Sequence, residues 1–146
     1  MVTSLKEQPL KRPPVYRNIH ISQLISYRMP AAAWASILHR ISGAAMFVLL
    51  PLVIWMFDAS LTSEITYDQF RDVFVNGAGF LPGWLLRIVS FGLIWAYLFH
   101  FCAGLRHLWM DATHDLSLRF GRISALAAMV VSTLVAFALG AKLFIF

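Results

Sequence analysis

Three long runs without a charged residue, Ile41–Phe57, Ile88–Leu105 and Ile123–Ala141, limit what this chain can become more than any other feature. Each approaches the ~20 residues that a helix needs to cross about 30 Å of hydrocarbon, where backbone polar groups must be satisfied inside the helix itself. They predict an all-α membrane protein with three transmembrane helices. The rest of the 146-residue chain agrees, at 60% hydrophobic and only 13% charged residues, a balance outside that of soluble domains.

Flanking residues set the expected boundaries. Pro30 suits the first turn of a helix, where its missing N–H is no loss, so the first span is expected over about 30–57, kinked at Pro51. The second is expected over about 84–111, with Trp84 and Trp109 as interfacial aromatics near its ends. The third, over about 121–146, has no ionisable residue between Ile123 and Lys142 and is expected to serve packing. Residues 1–29 form a polar tail and interfacial segment outside this 30–146 anchor domain; they predict no cleaved signal peptide, and His20 is expected to be solvated or interfacial. In the loop after the first span, Thr66-x-x-Gln69 predicts a capping box and Asn76-Gly77 a stop, which together define a short helix.

The net charge of +5 is explained by topology, since the basic residues flank the apolar spans and form no stripe of the kind that binds nucleic acid. Lys6, Lys11, Arg12, Arg17 and Arg28 precede the first span, whereas the first loop carries Asp58, Glu64, Asp68 and Asp72 against Arg71 and Arg87. The positive-inside rule therefore predicts a cytoplasmic N-terminus, a second loop with Arg106, Arg119 and Arg122 returning to the cytoplasm, and a periplasmic C-terminus.

Within the second span, His100, Gly104, His107 and Asp111 recur at steps of four, three and four, which places them within an arc of roughly 60° on a helix. An imidazole in so apolar a run calls for a chemical reason. His100 and His107 lie about 10.5 Å apart along the axis, too far to ligate one iron together. His100, deeper in the apolar zone, is the candidate haem ligand, with Gly104 removing a side chain that would obstruct the macrocycle and any second histidine ligand coming from His39 or from another chain. His107 and Arg106, nearer water, suit the propionates or the packing of a partner helix. The spacing equally fits plain helix packing, with His100 hydrogen-bonded to a neighbour that Gly104 allows to approach. Zinc is disfavoured, because the buried zone holds no second His, Cys or carboxylate at ligand spacing. Cys102 falls about 200° away from His100 and is expected to be an apolar filler.

On the first span, Ser36, His39, Arg40 and Gly43 fall within roughly 100° of arc. A hydroxyl and a guanidinium on one face suit a polar head carried by an apolar molecule. A quinone fits, because its carbonyl oxygens accept hydrogen bonds and gain negative charge on reduction. Anchoring to lipid headgroups by the same donors is the plainer alternative.

The same residues carry a resemblance. S-I-L-H-R-I-S-G at Ser36–Gly43 resembles S-x-x-H-R-x-S/T-G, and H-F-C-A-G-L-R-H-L-W-M-D at His100–Asp111 resembles H-x-x-x-G-x-R-H-L-x-x-D, both motifs of the cytochrome b556 membrane-anchor family of succinate dehydrogenase, respiratory complex II. With Arg12-Pro13 and the three-helix layout, the similarity spans nearly the whole chain; Y-R-N-I-H-I-S-Q-L stands where many relatives have a segment like L-S-P-H-L. The resemblance implies a multi-pass subunit of the bacterial cytoplasmic membrane, packing as half of a heterodimeric helical anchor. It implies that His100 is an axial ligand of haem b, with the second histidine supplied by a smaller anchor subunit. Ser36 and Arg40 would line the ubiquinone site, and His39 and Arg40 would lie near the propionates. FAD and iron–sulfur clusters would reside in a flavoprotein and an iron–sulfur subunit held at the membrane, so this chain alone would perform no succinate chemistry. One well-buried histidine favours one shared haem over two. The rival readings are the anchor of a quinol:fumarate reductase and a haem-free structural anchor.

Overall fold

The computed structural model describes residues 20, 22, 23 and 27–145, with side chains as far as Ala141. The expected extended tail, its Arg12-Pro13 pair, most of the interfacial segment, the Lys142 side chain and Phe146 lie outside the described residues. His20 is exposed, and its Nδ1 lies 2.9 Å from Ser22 Oγ.

Five helices follow one another among the described residues: α1 (Ala31–Val48), α2 (Leu50–Leu61), α3 (Glu64–Val75), α4 (Gly83–Thr113) and α5 (Leu118–Ile145). Three are long and apolar enough to cross a membrane, over Ala31–Val48, Gly83–Thr113 and Leu118–Ala141. Helices α1, α4 and α5 all pack on one another, while α2 and α3 form an arm that returns the chain to the start of α4. At 31 residues α4 is about 46 Å long, so it tilts within the hydrocarbon or extends beyond it.

The first span departs from expectation. It is not one kinked helix ending near Phe57 but two helices interrupted at Leu49, where φ is −91° and ψ 3°, and the second continues to Leu61. Pro51 has no N–H for the Phe47 carbonyl, and its ring crowds the preceding turn; it sits instead in the first turn of α2, where it fits. Near the break lies an apolar cleft of about 550 Å³ whose lining includes Met46, Leu50, Val53, Ile94 and Tyr97.

The loop helix also starts differently. Ser63, not Thr66, is its N-cap: Ser63 Oγ accepts the Thr66 N–H at 3.2 Å, and Thr66 Oγ1 accepts the Ser63 N–H at 3.0 Å. Thr66 thus occupies the returning position of a capping box, a place that the S/T-x-x-E/Q pattern reserves for longer side chains. The expected stop is present: Asn76 is the C-cap, and Gly77 follows at φ +99°, a conformation open to glycine. Arg87 Nε donates to the Phe74 carbonyl at 2.9 Å and ties the arm to α4.

Helices α4 and α5 run past their expected inner ends to Thr113 and from Leu118, because polar caps lie outside the apolar runs. His114 ends α4 in the left-handed region at φ 55°, Asp115 Oδ1 accepts the Ser117 N–H at 3.0 Å, and Ser117 Oγ accepts the Phe120 N–H at 3.3 Å. The buried residues are mostly small: Ala35, Ser42, Ser90, Ala96, Ala103, Ala125, Ala128, Ser132 and Ala136, with Phe99 the large fully buried side chain. Large apolar residues such as Phe47, Ile54, Phe101 and Leu134 face outward. Small residues inside and large ones outside suit helices that approach each other closely in a solvent as apolar as leucine.

Candidate functional site

The polar cluster of the bundle forms where the middle of α1 crosses α4. Positions 35, 39 and 42 share one face of α1, since steps of four and three return to the same side of a helix. Ala35 and Ser42 are each 2% exposed there, with His39 half-buried between them. From α4, His100 stacks on His39 with ring centroids 4.0 Å apart and planes at 22°, and His107 lies tilted against His39 at 5.2 Å and 49°.

One turn of α1 holds the His100 ring. Its Nδ1 lies 3.1 Å from the His39 carbonyl oxygen and 3.2 Å from Ser42 Oγ, and Ser42 Oγ donates its own proton to that carbonyl at 2.9 Å. A carbonyl can only accept, so the proton of a neutral His100 belongs on Nδ1. No hydrogen bond engages Nε2 among the described residues, which leaves its lone pair for a ligand. Gly43 makes the approach possible: a Cβ there would stand 2.9 Å from His100 Cε1. At Gly104 a Cβ would be 4.0 Å from His39 Nε2, an ordinary contact, so the tighter glycine is Gly43 rather than the Gly104 that sequence spacing emphasised.

His39 Nε2 is buried without a hydrogen-bond partner among the described residues. Such an orphan in an apolar setting is costly, by about 1–3 kcal/mol, and marks a place where a polar group of another molecule would be welcome. His39 and His100 are stacked side by side, not end-on across a gap, so they are not posed as opposing axial ligands of one iron. No three His, Cys, Asp or Glu side chains converge on a metal ion among the described residues. The available donor is a single oriented imidazole, which suits a metal that arrives with most of its coordination already filled.

The arc predicted to gather Ser36, His39, Arg40 and Gly43 is divided by the structure. His39 and Gly43 turn to α4, whereas Ser36 is half-buried and Arg40 exposed, and neither makes a hydrogen bond or ion pair among the described residues. Their donors remain open to a molecule alongside the bundle. On α4, Arg106 turns away from the histidine face: Nε donates to Ser124 Oγ at 2.9 Å and an Nη to the Gly121 carbonyl at 3.3 Å, so it joins α5. The reason is rotational, because Arg106 lies about 100° round the helix from His107. Asp111 is exposed and unpaired among the described residues. Cys102 is a free thiol on the α4–α5 side, lining a groove with Arg106 and Ser124, as its position opposite His100 predicts.

Ser42, which the sequence shows only as the S/T position of the S-x-x-H-R-x-S/T-G motif, is the residue whose contact with His100 sequence reasoning missed. Its signal was the small pair Ala35 and Ser42 at a spacing of seven, with His39 between them, which marks the face of α1 that packs inward.

Comparison with known proteins identifies the family. Residues 12–140 match the family described as succinate dehydrogenase/fumarate reductase transmembrane subunit. The chain is 34% identical over 110 residues to the succinate dehydrogenase cytochrome b556 subunit of Paracoccus denitrificans, an alignment covering 75% of this chain and 79% of that one. The subunit of the same name from Coxiella burnetii is 33% identical over 109 residues, covering 75% and 82%, and that from Rickettsia typhi 25% identical over 133 residues, covering 91% and 94%. A family match over most of the chain, two relatives above 30% identity and three apolar helices agree: the chain belongs to the succinate dehydrogenase/fumarate reductase transmembrane-subunit family, as a cytochrome b556 membrane subunit.

Proposed function

We propose that this chain is the haem b-bearing, quinone-site anchor of a succinate:quinone oxidoreductase. The observation that carries the proposal is the His100 imidazole, held at Nδ1 by the His39 carbonyl and Ser42, with no hydrogen bond on Nε2 among the described residues. A metal-ligating histidine characteristically donates its other N–H to a carbonyl or similar acceptor, which fixes the tautomer and strengthens the ligand. Haem b, when bound, supplies a one-electron redox centre whose potential is tuned by its axial ligands and their hydrogen bonds. This chain's part is to present Nε2 of His100. His39, Arg40 and His107 form the polar surroundings suited to propionates, and the unpartnered Nε2 of His39 supports that role. A second histidine for the iron would come from a smaller anchor subunit, a reading supported by the stacked, side-by-side arrangement of His39 and His100.

Ubiquinone binds beside Ser36 and Arg40. The Ser36 hydroxyl donates a hydrogen bond to a quinone carbonyl, and the Arg40 guanidinium stabilises the negative charge that gathers on that oxygen as two electrons and two protons convert quinone to quinol. Succinate is oxidised elsewhere, at the flavin of a flavoprotein subunit, and electrons reach the membrane through an iron–sulfur subunit docked on this anchor. The basic N-terminal flank and Arg119 and Arg122 at the start of α5 support a cytoplasmic location for that docking side, with the C-terminus periplasmic in a bacterial cytoplasmic membrane. The family description also covers fumarate reductase, but the three relatives named above are all succinate dehydrogenase subunits, which favours succinate oxidation.

The test is the purified complex with His100→Ala and, separately, Ser36→Ala plus Arg40→Gln. His100→Ala is expected to abolish the b-type absorption bands or shift the haem's potential. The helix-one pair is expected to lower quinone reduction by about 10²-fold or more, the usual scale for losing a charge-stabilising donor, while succinate oxidation with a soluble dye persists. An unchanged haem spectrum and potential in His100→Ala would exclude it as the ligand.

A further inference from the structure

We propose that Ser42 is the positioning residue for the His100 imidazole: its hydroxyl and the His39 carbonyl together select the Nδ1–H tautomer and the ring rotation that aim Nε2 as a ligand. The inference rests on the haem reading above and concerns a side chain outside the residues assigned there to haem or quinone.

The hydrogen-bond geometry leaves one consistent assignment of protons. Ser42 Oγ lies 2.9 Å from the His39 carbonyl oxygen and 3.2 Å from His100 Nδ1, and that same carbonyl lies 3.1 Å from Nδ1. Three polar atoms thus form a closed triangle with two protons to distribute. The carbonyl accepts from the Ser42 hydroxyl and from Nδ1–H, and the Ser42 oxygen lone pairs face the same Nδ1–H. If Nδ1 were bare, its lone pair would meet the carbonyl oxygen at 3.1 Å, a repulsive contact in an apolar interior. Ser42 is 2% exposed, so water does not compete for its hydroxyl.

An ordinary serine bond to the carbonyl three residues back would account for the 2.9 Å contact alone, and Ser132 does this with Met129 at 3.1 Å. The second contact, to a ring on another helix 58 positions away, makes Ser42 different. Gly43 completes the device, because a Cβ standing 2.9 Å from Cε1 would push the ring out of reach. Ser42 and Gly43 therefore act together, one holding the ring and the other admitting it. A hydrogen-bonded Nδ1–H raises the donor strength of Nε2 and so favours oxidised iron. Loss of one of its two acceptors is expected to raise the haem's reduction potential and to loosen the ring's orientation.

The experiment uses the whole purified complex carrying Ser42→Ala or Ser42→Thr, with haem content, redox titration followed by absorbance, and the low-spin electron paramagnetic resonance signal as readouts. Ser42→Ala is expected to retain haem, shift its midpoint potential upward and shift or broaden the resonance. Ser42→Thr, which restores a hydroxyl able to make the same bonds, is expected to move both back toward wild type. If Ser42→Ala fails to assemble, Ser42→Cys takes its place, since it keeps the side chain's approximate size and replaces the hydroxyl by a poor hydrogen-bonding group. A haem-replete Ser42→Ala with unchanged potential and line shape overturns this inference and leaves the ligand assignment of His100 standing. Equal shifts in Ser42→Ala and Ser42→Thr would also overturn it, because packing and not the hydroxyl would then be responsible. A wild-type complex without a b-type spectrum would overturn the haem reading itself.

Discussion

Helix α4 makes two interfaces of opposite character. Toward α5 its polar groups find partners within the chain: Trp95 Nε1 donates to Thr133 Oγ1 at 3.1 Å, Arg106 serves Ser124 and Gly121, and the Phe91 ring fills the space that a Cβ on Gly140 would need. Toward α1 the polar groups are oriented but incompletely used, with His39 Nε2 orphaned and no hydrogen bond on His100 Nε2 among the described residues. An interface that satisfies its donors and acceptors internally is built for stability. One that orients polar groups without pairing them fits the proposed role of receiving another molecule, since an orphan polar group is costly in an apolar interior.

That contrast can be broken by substitution on each side. Gly43→Val should have the largest effect on the α1 side, because a branched side chain beside His100 Cε1 displaces the ring; the b-type spectrum of the complex is expected to be lost or strongly altered, as measured by absorbance at equal protein. A normal spectrum would show that the ring has room that the 2.9 Å approach denies. On the α5 side, Arg106→Gln should lower stability by about 1–2 kcal/mol, the scale of a charged hydrogen bond reduced by the competition available in membranes, and leave the haem spectrum intact. Thermal unfolding of the complex, followed beside its absorption bands, checks both halves. Loss of haem in Arg106→Gln would mean that the two interfaces are not separable.

The smallest effect is expected at the α4–α5 turn, away from both interfaces. Hydrogen bonds from the Ser117 backbone and then its side chain hold the exposed Asp115 carboxyl below its ordinary value of 3.8. A carboxyl lowered on folding adds stability above that ordinary value, and the contribution is lost as pH falls through the lowered one. Asp115→Asn is therefore expected to leave the melting temperature nearly unchanged in strong acid and to lower it slightly at neutral pH. A difference of the opposite sign would disprove the cap.

Much of the architecture was legible because membrane insertion depends on length and polarity, which are properties of a linear sequence. Three uncharged runs announced three spans, and Asn76-Gly77 announced the end of α3. Boundaries failed where polar side chains act locally beyond the apolar run, as Ser63, Asp115 and Ser117 do, and where Pro51 broke a helix that hydrophobicity alone would continue. Periodicity put His100, Gly104, His107 and Asp111 on one face, yet Asp111 remains exposed there, because a shared face does not say how far a neighbouring helix reaches.

By itself the sequence determined the three apolar spans, the two motifs and the fact that His100 and His107 cannot share an iron, since all of these follow from composition and from the rise and turn of one helix. Only the tertiary structure decided that His39 stacks on His100, that Ser42 and the His39 carbonyl hold its Nδ1, that Gly43 is tighter than Gly104 and that Arg106 belongs to α5. Those depend on the rotation and depth of one helix against another, which packing of small residues such as Ala35 and Ser42 on α1 and Ala103 on α4 sets and no single-helix periodicity contains.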